Sequence, residues 1–194
     1  PKEVPDQRVK TVGVLGSGMM GAGIALVAAQ AGVEVVLVDQ NQDVADKGKA
    51  YSEKYLNAGI KRGKVSDKNK IETLNRILAT DDYTKLSAAD LIIEAVFEDT
   101  QVKSDVTKAV LEIVPKNCIF ASNTSTLPIT ELAKASKYPE NYIGIHFFSP
   151  VEKMLLVEII KGEKTDNRAV AKALDFVRQI KKTPIVVNLS LIHI

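Results

Sequence analysis

Short apolar, β-branched runs alternate along the chain with longer stretches of helical period. That alternation is the pattern of a mostly parallel sheet covered by helices. Val9 to Leu15 (VKTVGVL) reads as a first strand, apolar enough to be buried on both faces. The small-residue stretch MGAGIALVAAQAG reads as a helix stopping at Gly32, and VEVVLVD as a second strand ending at Asp39. From Val44 to about Leu78 the chain is highly charged with a helical period, which predicts a helical pair broken near Gly63. ADLIIEAV predicts the next strand. The helix after it places Val106, Ala109, Val110, Ile113 and Val114 on one stripe and ends at Pro115. CIFASN, YIGIHFF and LLVEII predict three further strands. Val170, Ala173, Leu174 and Val177 mark a late amphipathic helix, and TPIVVN a last strand. The expected fold class is α/β, a doubly wound sheet with an inserted helical pair. No repeat or low-complexity segment divides it, so one domain is expected over 9–187, after a linker remnant over 1–8 and before a tail over 188–194.

Composition narrows the partners. Apolar residues make up 45% and charged residues 26%, ordinary for a globular domain with a sizeable core. Lys and Arg number 26 against 24 Asp and Glu, a net charge of +2 that gives no support to nucleic acid as the main partner. The single Cys118 excludes an intrachain disulfide, suits an intracellular compartment, and reads as a buried small hydrophobe. No apolar run approaches the roughly 20 residues of a membrane span, and no metal site is assigned. The chain opens at Pro1 without a methionine and is expected to be a piece of a longer protein.

GVLGSGMMGAG carries Gly16, Gly18 and Gly21 in the order G-x-G-x-x-G, between a predicted strand and a predicted helix. In that setting the spacing is a dinucleotide-binding signal, and the fold becomes Rossmann-type. Gly16 permits the tight turn, Gly18 a close approach of a pyrophosphate, and Gly21 close helix–strand packing, with Met20 in the same loop. Asp39 ends the second strand, where a carboxylate can accept from both adenosine ribose hydroxyls and would repel a 2′-phosphate. NAD is therefore expected over NADP, with FAD as the rival.

His146 lies in an apolar run twelve residues before Glu158. Imidazole has an ordinary pKa near 6.5, so it can take or return a proton close to neutral pH. Glu158 sits among apolar neighbours and alternates away from Val157 and Ile159, a costly place for a carboxylate without a partner. His146 is its natural partner. The plainer alternative pairs Glu158 with a lysine and leaves His146 capping a strand end.

Four segments, GSGMMGAGIA, IIEAVFEDTQVK, ASNTSTLPI and IGIHFFSPVEKMLLVEI, together resemble the 3-hydroxyacyl-CoA dehydrogenase family in order and spacing. EAVFED and HFFSPVEKM are most similar to the dehydrogenase segment of its multifunctional fatty-acid oxidation proteins, those of mitochondria included. The resemblance implies oxidation of an L-3-hydroxyacyl-CoA by NAD in β-oxidation. It gives His146 the role of general base, Glu158 that of its orienting carboxylate, and Ser125 a contact with the substrate's 3-oxygen and the nicotinamide side of the cofactor. It places Glu98 and Lys103 along the cofactor, Asn123 near the same pocket, and Lys61 or Arg62 near the coenzyme A phosphates. Acidic residues interleave the lysines around Lys61, so a solvated face is the plainer reading there. It further implies an oligomeric whole protein in a mitochondrion, with a peroxisome as the second choice. The alternative function is a non-catalytic NAD-binding scaffold of the same fold.

Two departures stand out. Ser149 replaces an asparagine common in monofunctional relatives. After the last strand the family continues with an acidic residue, a Gly-Phe pair and an asparagine, whereas this chain reads VVNLSLIHI. Leu189 to Ile194, His193 included, are expected to be foreign to the family, and the chain alone is expected to bind NAD but turn over weakly.

Overall fold

The computed structural model describes residues 8–188. Its strands are β1 (Thr11–Leu15), β2 (Glu34–Val38), β3 (Ile77–Thr80), β4 (Leu91–Glu94), β5 (Ile119–Ser122), β6 (Tyr142–Phe147), β7 (Leu156–Lys161) and β8 (Thr183–Asn188). They form an eight-stranded sheet in the order β3-β2-β1-β4-β5-β6-β7-β8. The chain winds outward from β1 to β3, then returns to the other side of β1 at β4. The strands from β1 to β6 are parallel, β7 is antiparallel to β6, and β8 is parallel to β7. Crevices in such sheets open at the carboxyl ends of the strands where the winding reverses, here between β1 and β4.

The helices are α1 (Met19–Gln30), α2 (Gln42–Lys61), α3 (Asp67–Asn75), α4 (Thr100–Leu111), α5 (Ile129–Leu132) and α6 (Asn167–Gln179). Alternate strand residues feed two cores. Val12, Val14, Val35, Leu37, Ile93 and Ile159 pack with α1 and α6 on one face. Val36, Val38, Ile92, Phe120 and Tyr142 pack with α4 and α5 on the other. α1 is apolar nearly all round because α2 covers it, leaving Gly21 to Ala29 buried.

The structure differs from the sequence reading in two elements. The charged stretch expected to be helical to Leu78 breaks after Asn75, and Ile77–Thr80 forms the edge strand β3 beside β2. Four residues between two charged segments carry too short an apolar signal to override the helical period before them. On α4 the buried residues are Lys103, Thr107, Val110 and Leu111, while Ala109 of the expected stripe faces out. The inner face of this helix carries a lysine and a threonine where a core stripe would be apolar. The expected foreign tail, Leu189 to Ile194, lies outside the described residues.

Candidate active site

The glycine loop joins β1 to α1 at the crevice. Gly16 has φ +88°, and a Cβ there would lie 2.7 Å from the Ala95 carbonyl oxygen just beyond β4. A Cβ on Gly21 would come within 1.7 Å of the Gly16 carbonyl oxygen, so helix and loop can meet only without a side chain. Above Gly18 the space is open. Asn41, Ser66, Asp99 and Asp166 accept hydrogen bonds from the first turns of α2, α3, α4 and α6. The N-terminus of α1 has no side-chain cap and no acidic residue in its first turn. Its free N–H groups and dipole suit an anionic group.

Asp39 follows β2 directly. Its Oδ2 accepts from the Ser17 backbone N–H (2.6 Å) and Ser17 Oγ (2.8 Å), and its Oδ1 accepts from Gln40 N (2.8 Å). The carboxylate thus holds the glycine loop in place, and Oδ1 keeps accepting capacity for a ribose hydroxyl. These groups fit the adenosine half of a dinucleotide.

A cleft of about 320 Å³ opens at the carboxyl ends of the parallel strands, lined by Met20, Ala95, Glu98, Ser125, His146 and Phe148 among others. The β6–β7 register sets His146 directly opposite Glu158, which puts both side chains on one face of the sheet. His146 Nδ1 lies 2.8 Å from Glu158 Oε2, and Ser125 Oγ lies 3.3 Å from His146 Nε2. A carboxylate only accepts, so Nδ1 carries a proton and Nε2 is the ring nitrogen that faces Ser125. The Glu158 side chain is 30% exposed, so the buried position expected for it is in fact a half-buried one. Its strand neighbours Val157 and Ile159 are fully buried.

Ser125 is placed by the turn around it. Glu98 Oε1 accepts from Thr124 Oγ1 (2.5 Å), Ser125 N (2.9 Å) and Thr126 N (3.2 Å). Partial burial raises the pKa of Glu98. The Thr124 hydroxyl, the Lys103 charge and the Ser125 N–H together outweigh it, so the carboxyl lies below its ordinary range. Asn123 Oδ1 accepts from Phe147 N (2.8 Å), tying this turn to the end of β6.

Lys103, expected along the cofactor, is 1% exposed and does not line the cleft. Its Nζ is 2.7 Å from Glu94 Oε1, 3.2 Å from Glu98 Oε2 and 3.4 Å from the Val96 carbonyl oxygen, so it meets the site through Glu98 and Val96. Lys61 and Arg62 end α2 in solvent, also outside the cleft lining. Cys118 is buried, and burial pushes its thiol up to about 12. The sequence reading missed Glu94 and Ser17. Glu94 ends the apolar run LIIE, the same signal that singled out Glu158, so it could have been found. A larger hollow of about 460 Å³, lined by Thr130, Lys134, Pro139 and Glu163 among others, brings together none of these groups.

A doubly wound sheet and an uncapped helix behind a glycine loop define a dinucleotide-binding class of domain, here with a paired histidine at the cleft. The family model for the 3-hydroxyacyl-CoA dehydrogenase NAD binding domain matches residues 11–190, and the chain belongs to that family. The chain is 44% identical over 182 residues to the fatty acid oxidation complex subunit alpha of Idiomarina loihiensis, covering 94% of this chain and 25% of that protein. It is 42% identical over 180 residues to the protein of the same name from Psychrobacter arcticus, covering 93% of this chain and 25% of that one. Among solved structures it is similar to (S)-3-hydroxybutyryl-CoA dehydrogenase from Ralstonia eutropha, with TM-score 0.91 and 39% identity over 93% of this chain and 64% of that one. The chain thus spans about a quarter of the length of the curated relatives it matches. The expected mitochondrial or peroxisomal location is overturned, because these relatives are bacterial and bacteria have neither organelle. Among the described residues no helix is long and apolar enough to cross a membrane.

Proposed function

We propose that this chain is the cofactor-binding part of an enzyme that oxidises L-3-hydroxyacyl-CoA to 3-ketoacyl-CoA. The observation that carries the reading is the relay from Ser125 to His146 to Glu158, at 3.3 and 2.8 Å, facing a cleft beside the glycine loop. NAD, when bound, supplies the acceptor for the hydride that leaves the substrate's C3. His146 Nε2 takes the hydroxyl proton from the substrate oxygen as that hydride departs. Glu158 holds the Nδ1 proton and stabilises the imidazolium that forms. Ser125 Oγ, within reach of the same nitrogen, positions the 3-oxygen. Glu98 and the N-terminus of α1 line the cofactor, and Asp39 selects the unphosphorylated ribose.

Exposed Lys61 and Arg62 at the end of α2 reach the phosphates of coenzyme A. The chain covers 64% of the Ralstonia enzyme, so part of the acyl pocket and the contacts between subunits are assigned to the remaining sequence, and the chain alone turns over slowly. The test is reduction of acetoacetyl-CoA by NADH with the full-length protein. His146→Gln is expected to lower kcat by about a hundredfold or more, with NADH affinity unchanged. Equal rates for the two proteins would overturn the assignment.

A further inference from the structure

Beneath the cleft lies a fully buried polar cluster that the proposed reaction does not use directly. The Glu94 carboxylate, 0% exposed at the end of β4, accepts from Ser122 Oγ (2.7 Å) at the end of β5 and from Val96 N (2.9 Å) in the loop after β4. Its third partner is the Lys103 ammonium at 2.7 Å. A buried carboxylate opposite a buried ammonium is expensive to desolvate, and replacing such a pair by well-packed apolar residues is often neutral or stabilising. The pair is therefore weak as a device for stability alone. What it does achieve is a fixed position for a cation directly under Glu98.

From Lys103 the contacts run without a gap to the reacting groups. Lys103 Nζ holds Glu98 Oε2, and Glu98 Oε1 gathers the Thr124 hydroxyl and the N–H groups of Ser125 and Thr126. That turn carries Ser125 Oγ to within 3.3 Å of His146 Nε2. The other arm of Glu94, through Ser122, grips β5 only three residues before Ser125. Ser122 is thus tied to Glu94 directly, and Thr124 to Thr126 are tied to it through Glu98 and Lys103.

We infer that Glu94 is a positioning residue, which acts through the buried Lys103 and through Glu98 to set the distance between Ser125 and His146. The inference deepens the proposed dehydrogenase reading, and only the activity arm of its test rests on that reading.

The chain has two histidines, His146 and His193, so the imidazole nitrogens can be followed by ¹⁵N NMR and assigned with His146→Gln. The comparison set is wild type, Ser125→Ala, Glu94→Gln, and the double variant Glu94→Gln with Lys103→Met, which removes both buried charges together. The double variant is expected to keep a cooperative thermal transition near the wild-type midpoint. It is also expected to move the His146 Nε2 resonance as Ser125→Ala moves it. Glu94→Gln alone is expected to move it part of the way.

A folded double variant with a wild-type His146 resonance would overturn the inference. So would loss of the cooperative transition in both Glu94 variants, which would make Glu94 a folding residue. In the full-length protein, acetoacetyl-CoA reduction by the double variant is expected to fall about tenfold or more in kcat. Absence of activity in the wild type would sink the dehydrogenase reading and leave the NMR arm to judge Glu94.

Discussion

Glu98 does two jobs with its two oxygens, one on Lys103 and one on the turn from Thr124 to Thr126. Its folded pKa lies below the ordinary 4.5. A carboxyl with a depressed pKa contributes stability that is fully present above its unfolded value and lost as pH falls through the folded one. The turn should therefore hold at neutral pH and loosen only below about pH 4.5. The amide resonances of Ser125 and Thr126 are expected to titrate together with a midpoint under 4.5, and Glu98→Gln should abolish that titration. A midpoint at or above 4.5 would contradict the lowered value. Asp39, His146, Glu158 and the glycines could be read from the chain because each breaks a local pattern. Lys103 could not. A lysine on a helix reads as solvent-facing, and only the carboxylates brought from β4 and its following loop make burial tolerable.

Among elements, the β6–β7 pair does most to build the site. An antiparallel register brings residues twelve apart in sequence into direct opposition, and side chains opposite one another share a face. The connection from Phe148 to Leu155 must then turn back beside the cleft, which Phe148 and Ser149 line, and Lys182, just before β8, holds it there. Lys182 is 8% exposed, and its Nζ donates to the carbonyls of Val151 and Met154, each at 2.6 Å. Burial lowers its pKa, with the nearby Glu152 charge opposing. Lys182→Met leaves two carbonyls short of a donor, a loss of about 1–3 kcal/mol, seen as a fall in Tm of roughly 3–10 °C. No change in Tm would mean that the turn holds itself. β3 shows the opposite case. Its pairing with β2 outweighs the helical period of the residues before it, and nothing local announces that.

Across the whole molecule, the two cores hold a rigid sheet whose carboxyl edge gathers the glycine loop, the Glu98 turn and His146. A ligand that binds only this folded arrangement raises its stability by mass action. NADH at about a hundred times its Kd should add about 2.7 kcal/mol, or a rise in Tm of roughly 5–10 °C for a chain of this size. Asp39→Arg should abolish the rise, since it removes both the ribose acceptor and the anchor of Ser17. An undiminished shift in that variant would refute the cofactor assignment.

The doubly wound class of fold, the place of the cofactor loop and the candidacy of His146 and Glu158 were already written in the order of residues, because periodicity, glycine spacing and a carboxylate in an apolar run are local properties. The antiparallel turn of β7, the edge strand β3 and the buried Glu94–Lys103–Glu98 chain were not. Each depends on which distant segment supplies the partner, and the free energy of a buried charge or a short strand is set by that partner alone.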